Sequence, residues 1–226
     1  MSENSSTSAF KVAYTGPRPD ILQLLPKDPK RVLDVGCSDG TLGESIKQQW
    51  PNTTVVGMEL SNEMGSVAKR RIDQVLIGDI EDPNSLNELD SQTFDVIIFA
   101  DVLEHLRDPW RMLSRIRPYL RLDSVIIASL PNVRHVDTLY NLIFKGEWPY
   151  RDRGIHDRTH LRFFTKKNIM DMFASEEMSI VRTSTNYRLV ERPHKVNQYA
   201  HRFAVFGLAP FLAFQYLVVA QPNATV

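Results

Sequence analysis

An α/β fold built on a doubly wound, largely parallel sheet is predicted by three features of this 226-residue chain. Short runs rich in Val and Ile alternate with segments of helical pattern from Arg31 to Ser129. The run Phe94 to Ala100 is almost continuously apolar, as a strand covered on both faces must be. A glycine-bearing turn, Gly36 to Gly43, stands between the first strand and the first helix. Such alternation calls for right-handed crossovers with helices on both faces of the sheet.

Each element follows in order. Val32 to Val35 form the first strand, and Thr41 to Trp50 the first helix, stopped by Pro51. Thr54 to Glu59 form the second strand. Ser61 to Arg71 make a helix with Ser61 at its N-cap, where a hydroxyl satisfies an orphan N–H. Val75 to Ile80 are the third strand, Phe94 to Ala100 the fourth, Pro109 to Leu120 a helix, and Ser124 to Ser129 the fifth strand. Ahead of them, Asp20 to Leu25 read as a short apolar helix stopped by Pro26. Beyond Asn132 the pattern changes. Residues 133–165 carry aromatic and charged side chains and read as an insertion that forms an acceptor pocket or its lid. Thr165 caps a helix from Lys166 to about Phe173, and Ser179 to Asn186 form the sixth strand.

Composition narrows the function classes. Hydrophobic residues at 42% and charged ones at 24% suit an ordinary globular chain long enough for one domain. Residues 1–13 are expected to be a flexible tail and 14–226 a single domain. Lys+Arg and Asp+Glu number 27 each, so no nucleic-acid partner is expected. The single cysteine, Cys37, excludes an internal disulfide and suits the reducing cytoplasm. No charged segment followed by an apolar run begins the chain, so no secretory leader is expected.

The glycine turn discriminates between ligands. A dinucleotide loop needs a glycine at its middle position so that a pyrophosphate can sit against the helix. Ser38 stands there instead, with Asp39 where a phosphate would arrive and Asp34 at the strand end. Acids around a glycine turn suit a ligand with a cationic amine and no phosphate, and S-adenosylmethionine is one. Two further strands close on acids, Glu59 and Asp79, 25 and 20 residues on in turn. The plain alternative is a βα turn that binds nothing.

Asp34-x-Gly36-x-x-x-Gly40 resembles motif I of the class I S-adenosylmethionine-dependent methyltransferases. That resemblance implies a Rossmann-like, seven-stranded sheet with the last strand antiparallel, and Phe214 to Ala220 would supply that strand. It further implies a cofactor site made by Asp34, Gly36, Cys37, Ser38 and Gly40, by Glu59 and Leu60 at the ribose, by Asp79 and Ile80 at the adenine, and by Ala100 and Asp101. Tyr14 and Arg18, near the first helix, are weaker candidates.

Methyl transfer to a hydroxyl needs a base, and histidine has the suitable pKa. His105, His135, His156 and His160 are candidates, with His105, His160, His156 and Glu104 the preferred catalytic set. His194 and His201 lie in polar contexts and read as structural or solvated. Asp101-x-x-Glu104-His105 also resembles the E-x-x-E-H of small-RNA 2′-O-methyltransferases and of ubiquinone-pathway O-methyltransferases, with Asp101 replacing the first Glu. This resemblance implies a divalent ion, Mg or Mn, on Asp101, Glu104, His105 and His160. The alternatives stay open: Asp101 lines the cofactor, Glu104 caps a helix, and His105 packs or acts as a lone base.

Ala100 to Trp110, Ser129 to Arg134 and Asp157 to Thr165 resemble methyltransferases of bacterial surface-polysaccharide and glycan assembly. The acceptor so implied is a sugar hydroxyl, free, nucleotide-linked or lipid-linked. Trp148 and Tyr150 would stack on it, and Arg151, Arg153 and Arg158 would hold a phosphate. A quinone-like, phenolic or amine acceptor and a non-catalytic, cofactor-binding subunit are the alternatives. The uncharged stretch from Phe203 to Val226 leaves three readings: a short helix with the final strand, peripheral membrane attachment by Phe203 to Phe211, or a membrane span.

Overall fold

The computed structural model describes residues 16–89, 93–204 and 207–223. The expected N-terminal tail and Tyr14 lie outside the described residues. In chain order the described elements are α1 (Pro19–Leu22), β1 (Arg31–Val35), α2 (Thr41–Gln49), β2 (Thr54–Glu59), α3 (Asn62–Ala68), β3 (Gln74–Ile77), β4 (Phe94–Ala100), α4 (Pro109–Ile116) and β5 (Leu120–Pro131). They continue with α5 (Val136–Tyr140), α6 (Lys166–Ser175), β6 (Met178–Tyr187), α7 (Ala200–Phe203), α8 (Ala209–Leu212) and β7 (Ala213–Pro222).

The seven strands form one sheet in the order β3-β2-β1-β4-β5-β7-β6. The first five pair in parallel, while β7 runs antiparallel between β5 and β6. The sheet therefore has the predicted architecture. Alternation along the strands feeds two cores. Val32, Val55, Val96 and Ile98 pack with Ile21, Leu42, Ile46 and Ala68 on the face covered by α1, α2 and α3. Leu33, Val35, Ile97 and Phe99 pack with Met112, Ile116, Ile169 and Phe173 on the face covered by α4 and α6. With both faces buried, the central strands have no polar side to show.

Local chemistry sets the ends of the helices. Ser61 accepts the Met64 N–H at 3.3 Å, and Thr165 and Asn168 form a reciprocal capping box on α6. Among the boundaries that depart from expectation are those of β3 and α4. Strand β3 stops at Ile77 because Gly78 turns the chain to donate its N–H to the Glu59 carbonyl, leaving Asp79 and Ile80 beyond the strand. Helix α4 ends at Ile116, where Pro118 follows, so β5 begins at Leu120, well before Ser124. The C-terminal apolar stretch is divided between α7, α8 and β7, and β7 is buried from Ala213 to Ala220. Its hydrophobicity is that of an interior strand. Among the described residues no helix is long and apolar enough to cross a membrane.

Candidate active site

The C-terminal ends of the adjacent parallel strands β2, β1 and β4 lie side by side at the edge of the sheet, where ligands bind in open α/β sheets. The turn after β1 is shaped by its backbone. Gly36 and Gly40 have φ of +70° and +81°, and Ser38 also lies in the left-handed region at +52°. A Cβ on Gly36 would come within 2.7 Å of the Val102 side chain, and one on Gly40 within 3.0 Å of the Ala68 backbone. The end of β4 and helix α3 thus press on the turn from two sides.

Glu59 locks that turn to β2. One of its carboxylate oxygens accepts the Ser38 N–H and the other the Ser61 N–H, each at 2.8 Å. Each oxygen keeps a lone pair for a further donor. Asp34 is the reverse case. It is only 1% exposed, and its Oδ2 has no hydrogen-bond partner among the described residues. Burial, with the Glu59 charge adding to it and Arg18 opposing it, pushes its carboxyl up to about 7. The Ser38 hydroxyl is also buried without a partner. Two orphaned polar groups beside a glycine turn are what a missing ammonium or hydroxyl ligand would leave behind.

Other expected cofactor residues fare differently. Cys37 faces the α2–α3 side, because a Cβ on Gly57 would sit 2.5 Å from its sulfur. Its thiol, pushed up by burial and by the Asp34 and Glu59 charges, packs as a small apolar group. Asp39 is engaged inside the protein: it accepts the Thr41 N–H at 3.1 Å and Oγ1–H at 2.8 Å, and pairs with Arg71. Although burial alone would raise it, those bonds hold its carboxyl below the usual range. Leu60 is 70% exposed, a bare apolar side chain beside Glu59. Asp79 accepts the Glu81 N–H at 2.8 Å and an Arg107 guanidinium N–H at 3.3 Å, while Ile80 is buried and Ala100 half-buried.

Glu104, His105 and His160 come together, their ligating atoms all within 4.8 Å of one another. The two imidazoles meet edge to face with centroids 4.7 Å apart, and His160 Nε2 lies 4.0 Å from Glu104 Oε1. Glu104 is 1% exposed and its Oε2 lacks a partner. Burial and the neighbouring Asp101 charge raise its carboxyl well above the ordinary value. Burial lowers His105, while burial and then His105 lower His160 to about 4. The chain brings these groups together because Leu161 and Arg162 both donate their N–H to the Glu104 carbonyl, at 2.9 and 3.0 Å.

Asp101 does not join that cluster. Its φ is +59°, and its carboxylate is taken by Arg18 at 2.6 Å, the Ser129 hydroxyl at 3.1 Å and Gln215. His156 is also elsewhere. It is fully buried, paired through Nδ1 with Glu191 Oε2 at 2.8 Å and edge-on to Trp148. His135 caps α5 and bonds the Arg188 carbonyl through Nε2 at 2.9 Å. Sequence reasoning passed over Ser129, Gln215 and Glu191, which the topology brings in from distant strands and loops and which no local motif marks.

Comparison with known proteins decides the family. A sequence family described as a methyltransferase domain matches residues 13–181, well over half of the chain. The chain belongs to the methyltransferase-domain family. The malonyl-[acyl-carrier protein] O-methyltransferase of Halalkalibacterium halodurans is 27% identical over 176 residues, covering 73% of this chain and 63% of that protein. The ubiquinone biosynthesis O-methyltransferase of Coxiella burnetii is 29% identical over 133 residues, covering 57% of this chain and 55% of that protein. The chain thus spans less than two thirds of the length of these two curated relatives. Among solved structures, a SAM dependent methyltransferase from Archaeoglobus fulgidus superposes with a TM-score of 0.67 at 16% identity, covering 96% of this chain and 99% of that one. At that identity the likeness speaks for the fold of this methyltransferase-domain protein and not for its substrate. No relative among these carries a name that refers to glycans.

Proposed function

We propose that the chain catalyses S-adenosylmethionine-dependent O-methylation of a hydroxyl on a small acceptor, with His105 as the base. The observation that carries this is the juxtaposition of two half-built sites. The turn with the orphaned Asp34 Oδ2 touches Val102, and three residues on from Val102 stands His105, in its cluster with Glu104 and His160. S-adenosylmethionine, when bound, supplies an electrophilic methyl on a sulfonium sulfur. The residues present suit it. Asp34 would take the ammonium, the free lone pairs of Glu59 the ribose hydroxyls, and Leu60 one face of the base. Ser38, Gly36 and Gly40 let the backbone approach it. Asp79, Ile80, Ala100 and Asp101 would line the remainder, Asp101 through its hold on Arg18.

On the acceptor side, burial lowers the His105 pKa and so favours the neutral imidazole, which is able to take the hydroxyl proton as the bond to carbon forms. Residues 133–165 would cover the acceptor. A second reading places a divalent Mg- or Mn-type ion on Glu104, His105 and His160, lowering the acceptor's pKa directly. The buried, unpartnered Glu104 Oε2 favours it.

The relatives' names, a malonyl-[acyl-carrier protein] O-methyltransferase and a ubiquinone biosynthesis O-methyltransferase, support an oxygen acceptor. For the sugar hydroxyl, Tyr150 is 70% exposed and able to stack. Against it, Arg151 pairs with Glu191 and Arg158 with Asp152, so both are already engaged. A phenolic or quinol-like acceptor therefore comes first. The test is transfer of a tritiated methyl group to a panel of catechols, quinols, nucleotide sugars, oligosaccharides and amines. The reading expects label on a hydroxyl acceptor, lost in His105→Ala. Transfer to nitrogen acceptors alone would overturn the O-methylation.

A further inference from the structure

Between the insertion and the end of β4 runs a chain of short polar contacts with a defined direction. Asp157 is 2% exposed, and its Oδ1 accepts both the Thr159 N–H at 2.8 Å and the Thr159 hydroxyl at 2.7 Å. A threonine hydroxyl carries one proton, and here it is committed to the carboxylate. The same oxygen lies 3.0 Å from His105 Nδ1, where it is left to accept. The Thr159 carbonyl, which can only accept, lies 3.3 Å from the same nitrogen.

From this geometry we infer that Asp157 and Thr159 are positioning residues that keep the His105 proton on Nδ1 and leave Nε2 as the ring's lone-pair nitrogen. The opposite polarity, with Thr159 donating to Nδ1, would take the hydroxyl proton away from a buried carboxylate. It would also place an unprotonated nitrogen against a carbonyl oxygen, two acceptors face to face. The arrangement is braced from the backbone. His160 donates its N–H to the Asp157 carbonyl at 3.1 Å, and Leu161 and Arg162 anchor on Glu104. A partner on one ring nitrogen sets the role of the other, whether Nε2 then takes a proton or binds an ion. The inference deepens the assignment of His105 under the proposed function. Its test, however, needs neither cofactor nor acceptor.

The experiment is long-range ¹H–¹⁵N spectroscopy of the full chain labelled at histidine, after EDTA treatment and near pH 7.5, with His105→Gln to assign the signals. The inference expects the wild-type Nδ1 in the protonated range and Nε2 in the unprotonated range. Thr159→Ser should keep that pattern, whereas Thr159→Val, which removes the hydroxyl acceptor and leaves only the carbonyl at Nδ1, should move a measurable part of the proton population to Nε2. A wild-type protein with the proton on Nε2 would overturn the inference, even if Thr159→Val fails to fold. So would an unchanged tautomer in a folded Thr159→Val. A parallel titration with S-adenosylhomocysteine separates this result from the methyltransferase reading. Absence of binding in wild type refutes that reading and leaves the tautomer result standing. Equal affinity in wild type and Thr159→Val shows that the effect is confined to the ring.

Discussion

The Ser38 N–H reaches Glu59 Oε2 at 2.8 Å, joining the glycine turn after β1 to the end of the neighbouring strand β2. The second Glu59 oxygen holds Ser61, so one carboxylate sets the geometry of two loops at once. Exposed Leu60 and buried Asp34 are presented from that shared frame.

Removing this tie should loosen the cofactor side without unfolding the sheet. Glu59→Ala is expected to weaken S-adenosylhomocysteine binding at least tenfold and to cost about 1–3 kcal/mol, since two amides lose a charged acceptor. Titration calorimetry and urea unfolding measure the two effects separately. An unchanged affinity would remove Glu59 from the ligand site.

Gly36 tests the steric side of the same turn. An alanine there must hold φ near +70° and meet Val102 Cγ2 at 2.7 Å. Gly36→Ala should destabilise the protein by roughly 1–3 kcal/mol. Adding Val102→Ala should return the part due to the clash and leave the part due to the backbone. A double mutant no better than the single would place all of the cost in φ.

Asp34 makes stability depend on pH in a definite direction. Its folded carboxyl lies near 7, above its unfolded value near 3.8, so between those values the folded state binds the extra proton. Its contribution to stability therefore falls as pH rises from about 4, and the loss is complete above about 7. Asp34→Asn should flatten this slope and raise stability at pH 8 by a few kcal/mol, while abolishing S-adenosylhomocysteine binding. Chemical unfolding across pH 4–8 gives the slope; an unaltered slope in the variant would show that Asp34 does not titrate in that window.

Glu191 ties the insertion down. It pairs with His156 and Arg151, and its Oε1 fills the space beside Gly154, where a Cβ would meet it at 2.5 Å. Those contacts hold its carboxyl below the usual range despite burial. Glu191→Ala should cost about 1–3 kcal/mol and speed amide exchange over residues 151–158 while leaving the β1–β4 core protected. Uniformly faster exchange would mean that the segment does not open on its own.

Most of the sheet was legible in the sequence because its strands are local apolar runs, and the glycine turn because φ beyond +60° at Gly36 and Gly40 selects its residue type. Strand β7 was legible in the β-rich run Phe214 to Ala220, but its antiparallel place in the sheet came only through the family resemblance. The site was legible in part. Glu104, His105 and His160 converge as their pattern suggested. Asp101 turned to Arg18, Ser129 and Gln215, residues 83, 28 and 114 positions away, and such pairings leave no trace in local sequence. The orienting role proposed for Thr159 is hidden for the same reason, being 54 positions from His105.

The most direct test of the central claim is calorimetric titration of the EDTA-treated chain with S-adenosylhomocysteine near pH 6.5, in two buffers of different ionisation enthalpy. The account predicts one site and net release of a proton, because the ligand ammonium drives the partly protonated Asp34 to its carboxylate; Asp34→Asn should bind far more weakly and release none. No binding by the wild-type chain, or binding with no difference between the buffers, would contradict it.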